Sequence, residues 1–271
     1  MIFVHDKGRM ANNMLQYGHV YAWGREHGRK TMSMRFAYKY PWFHICDTRY
    51  HHFLTYVFAK YAAKWGIIPT VSFEEEDTDY SQAEQQMLTK KMLMVTGWYA
   101  HWYELFLKYK SEILNLFAFK ENVTKSVDAR LNEMPAADLW LGVHIRRGDY
   151  RTWNNGKYFY SDEQYLHCIR QFLALHPDQR IVVFICGNDN ALDKEKFIRE
   201  LAGTIVIFPA GNPAEDMYLL SRCHYLIGPP STFTLVASMY RNVPLYWIMD
   251  VEKPLQEDCF DSFDHLFRHI L

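Results

Sequence analysis

The stretch Leu141–Trp153 reads LGVHIRRGDYRTW. A short apolar run delivers His144, the adjacent pair Arg146 and Arg147, and Asp149 to one point of the chain. A guanidinium group binds phosphate or carboxylate through parallel hydrogen bonds and keeps its charge at any ordinary pH. Such a cluster suits an anion that must be held while a bond to it breaks. In an extended segment alternate side chains share a face, so His144 and Arg146 point one way and Arg147 the other. The two arginines then do different jobs. One reaches a phosphate; the other pairs with Asp149 or another local carboxylate and fixes the loop. The tripeptide Arg147–Asp149 is too short a match to carry an adhesion role.

Something must hold that cluster in place. The second half of the chain alternates short apolar runs with helical segments. LWLGVHI, RIVVFICG, TIVIFP, HYLIGPP and VPLYWIM read as strands. SDEQYLHCIRQFLALHP, ALDKEKFIRELAG, PAEDMYLLSRC and STFTLVASMYRN read as helices, the first with Ser161 at its cap and Gln164 three residues on. This alternation predicts parallel strands covered by helices, with ligands at the carboxyl ends of the strands. His144 to Asp149 follow such an end directly. So does PPST, where two prolines stop a strand and Ser231 can cap the next helix, its free N–H groups turned to an anion. The first half is helix-rich and aromatic. Helices are predicted within NNMLQYGHVYAWGREHG and YHHFLTYVFAKYAAKWG, and two more in the stretch from Asp79 to Phe119, broken near Thr96–Gly97. The acidic run Glu74–Asp79 reads as a solvated loop. The proline-containing link NEMPAAD divides the chain into residues 1–135 and 136–271. The expected fold is α/β, with two lobes and a cleft between them.

Composition narrows the function. Thirty Lys and Arg nearly cancel 31 Asp and Glu, so no global basic excess marks a nucleic-acid binder and any anion site is local. Aromatic residues reach 17%, which suits a ring-rich core and stacking on sugar faces. Five widely spaced cysteines, with no CxxC pair, argue against a disulfide framework or a zinc site. No run of apolar residues predicts a signal peptide or a membrane span. The expected location is the cytoplasm, with peripheral contact at the inner membrane left open.

HIRRGDY resembles the HxRRxDY motif of the α-1,2-fucosyltransferases of glycosyltransferase family 11. Two further blocks agree in order. Gly8–Lys30 is similar to the family's N-terminal block at Gly8, Asn12, Gln16, Tyr17, Gly24 and Arg25. Asp216–Tyr240 is similar to a later block at Asp216, Leu220, Ser221, Cys223, Ile227, Ser231, Thr232 and Phe233. FICGND, ending at Asp189, stands where the family has FSDD. The departures are Arg9–Asn13, in place of a glycine pair and a Gly-Asn-Gln tripeptide, and Leu235–Val236, in place of a tryptophan pair.

The resemblance implies a GT-B-like fold of two Rossmann-like lobes, with an acceptor-side lobe first and a GDP-fucose-binding lobe second. It implies an inverting, metal-independent transfer of L-fucose from GDP-β-L-fucose to a glycan hydroxyl, O2 of a terminal galactoside, in bacterial surface polysaccharide synthesis. The partners implied are GDP-fucose and a glycan acceptor, with no cofactor beyond the donor and no nucleic acid. Arg146 would contact the β-phosphate, Arg147 brace the loop through Asp149, and His144 lie beside the nucleotide or the fucose. Asp216 would accept from guanine, Ser231 and Thr232 bind phosphate oxygens, and Asp189 join the donor site. Gly8 and Asn12 would shape the first-lobe loop, Asn12 also being able to cap a helix. The base that takes the acceptor's proton is not selected; His5 and Asp6 are the candidates at the end of the first strand. The alternatives are a transferase of the same fold with another donor or linkage, and a relative that binds nucleotide or glycan without catalysis.

Overall fold

A computed structural model describes residues 1–187, 189 and 191–270. The chain folds as two compact units, Met1–Asn122 and Val123–Leu271. The division falls in the first turn of a helix, α6 (Glu121–Asn132), which lies just upstream of the proline-containing link. The side chains of α6 explain its allegiance. Asp128 pairs with Arg222 and accepts from Tyr218, while Arg130 pairs with Glu215, all in the second unit.

The first unit runs β1 (Ile2–His5), α1 (Met10–Glu26), β2 (Thr31–Ser33), α2 (Phe53–Lys64), β3 (Thr70–Ser72), α3 (Tyr80–Thr89), β4 (Leu93–Thr96), α4 (Tyr103–Lys108) and α5 (Lys110–Leu116). Its four strands are parallel in the order β2-β1-β4-β3. The two helices expected around a break at Thr96–Gly97 are here a helix, a strand and two short helices. Leu93–Thr96 is a central strand, with Leu93, Met94 and Val95 buried and paired to β1 residue by residue. An apolar run buried on both faces has no alternation to show, so it reads equally well as a buried piece of helix. Gly97 then turns the chain at φ +110°, under the backbone of Phe73 and Glu74.

After α6, the second unit runs β5 (Leu139–Ile145), α7 (Asp162–Leu175), β6 (Ile181–Gly187), α8 (Lys194–Glu200), β7 (Ile205–Ile207), α9 (Pro213–Ser221), β8 (Tyr225–Gly228), α10 (Thr232–Met239), β9 (Leu245–Trp247) and α11 (Phe263–Leu266). The expected strands and helices are present in the expected order. Helix α7 starts in a reciprocal cap between Ser161 and Gln164. It buries Tyr165, Leu166, Ile169 and Phe172 on the cluster that holds Leu141, Val143 and Ile145 of β5. Each such fully buried side chain contributes about 1.5–3 kcal/mol. The five strands are parallel in the order β7-β6-β5-β8-β9. The chain thus leaves β5 to one side for β6 and β7, then returns to its other side for β8 and β9. Between β5 and β8 the connections diverge, and in open parallel sheets ligands bind beside the carboxyl ends at such a point. No described helix is long and apolar enough to cross a membrane.

At Gly97 an added Cβ would stand 2.1 Å from the Phe73 carbonyl carbon. Gly97→Ala is expected to cost at least about 1–3 kcal/mol, through overpacking against backbone and a positive φ. Urea denaturation would show this as a lower midpoint; an unchanged midpoint would contradict the close approach.

Candidate functional site

His144, Arg146, Asp149, Ser231 and Thr232 gather at the divergence of β5 and β8. His144 is the penultimate residue of β5 and is buried, its ring stacked on Phe233 at 4.7 Å. Burial, and after it the Arg146 charge, holds its pKa down at about 3, so it is a neutral imidazole at physiological pH. Its Nδ1 has no hydrogen-bond partner among the described residues. Arg146 lies over the Tyr150 ring, 5.3 Å from its centroid, and its backbone N–H donates to the Tyr165 hydroxyl. Its Nε is buried and also finds no acceptor among the described residues. A buried donor without a partner costs free energy, so such a pair of open positions side by side points to a ligand.

The division of labour between the arginines differs in detail from the expected one. Arg146 is the residue whose guanidinium pairs with Asp149, at 2.7 Å. Arg147 is buried and reaches deeper, to Asp162 and to Asp189, the latter at 3.2 Å, and donates from Nε to the Tyr160 carbonyl. The reason is the backbone. After Ile145 the strand ends, and Arg147 adopts φ −123° and ψ −86°, which aims its side chain under the loop toward the start of α7. Asp189 therefore braces the arginine cluster, its other oxygen accepting from the Ala191 N–H. Asn188, in the same sequence block, lies outside the described residues. Asp162 was missed by motif reasoning; its signal was its place directly after the Ser161 cap.

The loop after β8 meets the loop after β5. The Tyr150 hydroxyl donates to the Pro230 carbonyl at 2.5 Å. Ser231 caps α10, accepting from the Phe233 N–H at 3.2 Å, and Thr232 is the first helical residue. The first turn of α10 thus stands on His144 through the Phe233 ring. Asp216 lies in the first turn of α9, apart from this group but close enough to Cys186 on β6 that its charge, after burial, raises that thiol. Burial, then the neighbouring Glu215 charge, pushes the Asp216 pKa up to about 7, against the pull of Arg130. Its carboxylate has no hydrogen bond or ion pair among the described residues.

In the first unit the carboxyl end of β1 separates the two base candidates. His5 is half-buried and lines a pocket of about 420 Å³ together with Arg35, Tyr38, Tyr56, Lys60 and Thr70. Burial, then Arg35 and Lys7, lowers its pKa, which leaves a neutral imidazole able to accept a proton. Asp6 is fully buried, takes the Ser33 hydroxyl's hydrogen bond, and has a pKa pushed up to about 7 by desolvation. Its other carboxylate oxygen is buried and has no hydrogen-bond partner among the described residues. Gly8 has φ +88°, and a Cβ there would meet the Asn12 amide at 2.7 Å. Asn12 does not cap α1: the cap is Arg9, and Asn12 lies inside the first turn. Gln16 holds the loop by clasping both the N–H and the C=O of Lys7. Arg35, which no motif singled out, donates to the Asp6 carbonyl and the Tyr38 hydroxyl. Among the described residues, no group of three or more His, Cys, Asp or Glu could hold a metal ion.

The family model described as Glycosyl transferase family 11 matches residues 1–242. Galactoside alpha-(1,2)-fucosyltransferase 2 of Gorilla gorilla gorilla is 24% identical over 249 residues, covering 85% of this chain and 66% of that protein. The chain therefore spans just under two thirds of that relative's length. Among solved structures, a mutant of Arabidopsis thaliana FUT1 in complex with GDP gives a TM-score of 0.65 at 12% identity, covering 96% of this chain and 73% of that one. NodZ alpha-1,6-fucosyltransferase co-crystallized with GDP gives 0.54 at 15% identity, covering 90% and 94%. These structures share the GT-B-like α/β fold with two parallel sheets.

The two arginines separate experimentally. Arg147→Ala takes the shared cation from Asp162 and Asp189 at a mostly covered place and is expected to cost about 3–5 kcal/mol. Arg146→Ala removes a pair whose acid is half-exposed and should change stability by less than about 1 kcal/mol. Thermal unfolding of both variants checks this; equal losses would refute the assignment of Arg147 as the strut.

Proposed function

The chain belongs to glycosyltransferase family 11, and on that premise we propose that it transfers L-fucose from GDP-β-L-fucose to a hydroxyl of a glycan. One observation carries the reading. Arg146 and His144 offer buried, unsatisfied polar atoms at the strand divergence, under the capped N-terminus of α10. That is a site for a diphosphate. The acceptor oxygen attacks the anomeric carbon from the face opposite the nucleotide. The bond from that carbon to the β-phosphate oxygen breaks, GDP leaves with the electron pair, and the configuration inverts. Arg146 meets the charge growing on the leaving phosphate, aided by Ser231 and Thr232, and no divalent metal is required. His144, neutral at about pKa 3, orients the donor without exchanging a proton. The acceptor's proton passes to a general base, for which His5 and Asp6 are the candidates. A galactoside acceptor is supported by the name of the gorilla relative.

The direct test is GDP release from GDP-fucose with and without β-galactosides, in EDTA, with GDP-mannose and UDP-galactose in parallel. Galactoside-dependent release from GDP-fucose alone is expected. Arg146→Ala should lower kcat by about 10²–10³, the usual loss for one such donor. Turnover close to normal in that folded variant would sink the phosphate role. GDP binding without turnover on any acceptor would instead identify a binding relative.

Asp216 supplies a second test. A guanine edge presents two N–H donors, and the ionised carboxylate accepts both. The folded apoprotein holds this acid at about pKa 7, so ligand binding must complete its ionisation. GDP affinity should therefore rise between pH 6 and 8 and level off above. Asp216→Asn should bind GDP roughly 10–100-fold more weakly, with that rise gone. Calorimetric titration of both proteins across this range decides it; identical pH profiles would remove Asp216 from the guanine site.

A further inference from the structure

Helix α2 is turned the wrong way round for a helix on a soluble surface. Its fully buried residues are Ala59 and Ala62, which pack on the Phe3, Met32 and Met94 cluster. Tyr56 packs on the same cluster and the Phe58 ring meets Phe3 edge-on at 6.2 Å, but Phe53, Leu54, Phe58 and Tyr61 are all exposed. Leu54, Phe58, Tyr61 and Trp65 follow the i, i+4, i+7, i+11 spacing of one helical stripe, and Phe53 and Ile67 extend it at either end. Leu54 is 74% exposed and Trp65 69%. Scattered exposed apolar residues are ordinary; a continuous stripe on one helix marks a contact surface.

The charge around the stripe selects the occupant. Lys60 and Lys64 flank it, the Lys60 ammonium lying 5.8 Å from the Tyr61 ring centroid. Neither lysine has an ion pair among the described residues. Both line the His5 pocket with Arg35, and no carboxylate stands in that wall. From Thr48 to Phe73 the chain carries Arg49, Lys60 and Lys64 but no Asp or Glu. An isologous contact with a second copy would set cations against cations with no acid to receive them. An anionic lipid surface offers apolar depth for the stripe and phosphates for the lysines. Trp65 and Tyr61 are of the types that settle at the headgroup level.

We propose that the outward face of α2 docks the first unit on an anionic phospholipid surface, with Leu54, Phe58 and Trp65 entering the headgroup–acyl boundary and Lys60 and Lys64 meeting lipid phosphates. This does not rest on the fucosyl-transfer reading and survives or fails apart from it.

The test is co-sedimentation of the full chain with large unilamellar vesicles of phosphatidylcholine, alone or mixed with phosphatidylglycerol. Binding to the mixed vesicles is expected, with little to phosphatidylcholine alone. Two variants probe the two components: Leu54→Ser with Trp65→Ser, and Lys60→Glu with Lys64→Glu. Each should lower partitioning by about tenfold or more, and 0.5 M salt should mimic the second. Their far-UV spectra and melting points should match the parent, because the changed side chains are exposed. Glycerol phosphate in excess should not displace the protein, since it lacks the apolar phase. Three results would overturn the proposal: no sedimentation with mixed vesicles, equal binding by both variants and parent, or a concentration-dependent dimer that the apolar variant abolishes in a chain that ignores vesicles.

Discussion

The site in the second unit depends on one buried guanidinium. Arg147 ties the end of β5 to the start of α7 through Asp162, to the segment after β6 through Asp189, and to the Tyr160 carbonyl. A charge removed from water must be matched by partners or it destabilises the fold. Here two carboxylates match it, and three chain segments are thereby held in one place. Only with that strut fixed can the neighbouring Arg146 stand over Tyr150 with part of its donor fork uncommitted. The adjacency of the two arginines in sequence is thus a consequence of geometry: the strand ends, the backbone turns, and successive side chains leave in different directions.

The rest of the site follows from topology. Parallel strands place all their carboxyl ends on one edge of the sheet, and the reversal of strand order between β5 and β8 opens that edge. Two loops of very different composition, one cationic and one proline-rich, then come together without any sequence proximity. Tyr150 joins them by its hydroxyl and supports Arg146 by its ring, so one side chain sets both the spacing of the loops and the height of the cation. The first unit shows the same logic on a smaller sheet. His5 emerges at the carboxyl end of β1 beside a pocket, while Asp6, one residue on, turns inward to Ser33.

The second unit was legible because its elements announce themselves. β5 and β6 are seven-residue apolar runs, and α7 opens with the Ser161–Gln164 pair that a helix start requires. In the first unit β2 and β3 are three residues each, too short for any period to register, and β4 is buried on both faces, so Leu93–Thr96 merged with the helix before it. At the site, residue types pointed to an anion and to two roles for the arginines. Which arginine meets Asp149 was not readable, because it turns on a backbone angle at a strand end. Nor was the burial of Asp6 beside a half-buried His5, since two polar residues at a strand end carry no signal of which one turns inward.

The two ion pairs at the motif also differ in how they meet dissolved salt. Mobile ions screen charges over about 8 Å at physiological ionic strength, but only where water reaches. Asp149 is half in solvent, so its hold on Arg146 weakens as salt rises, whereas the partners of Arg147 are mostly covered. Rising ionic strength therefore loosens the hold of Asp149 on the Arg146 guanidinium, while the strut beneath it keeps its place.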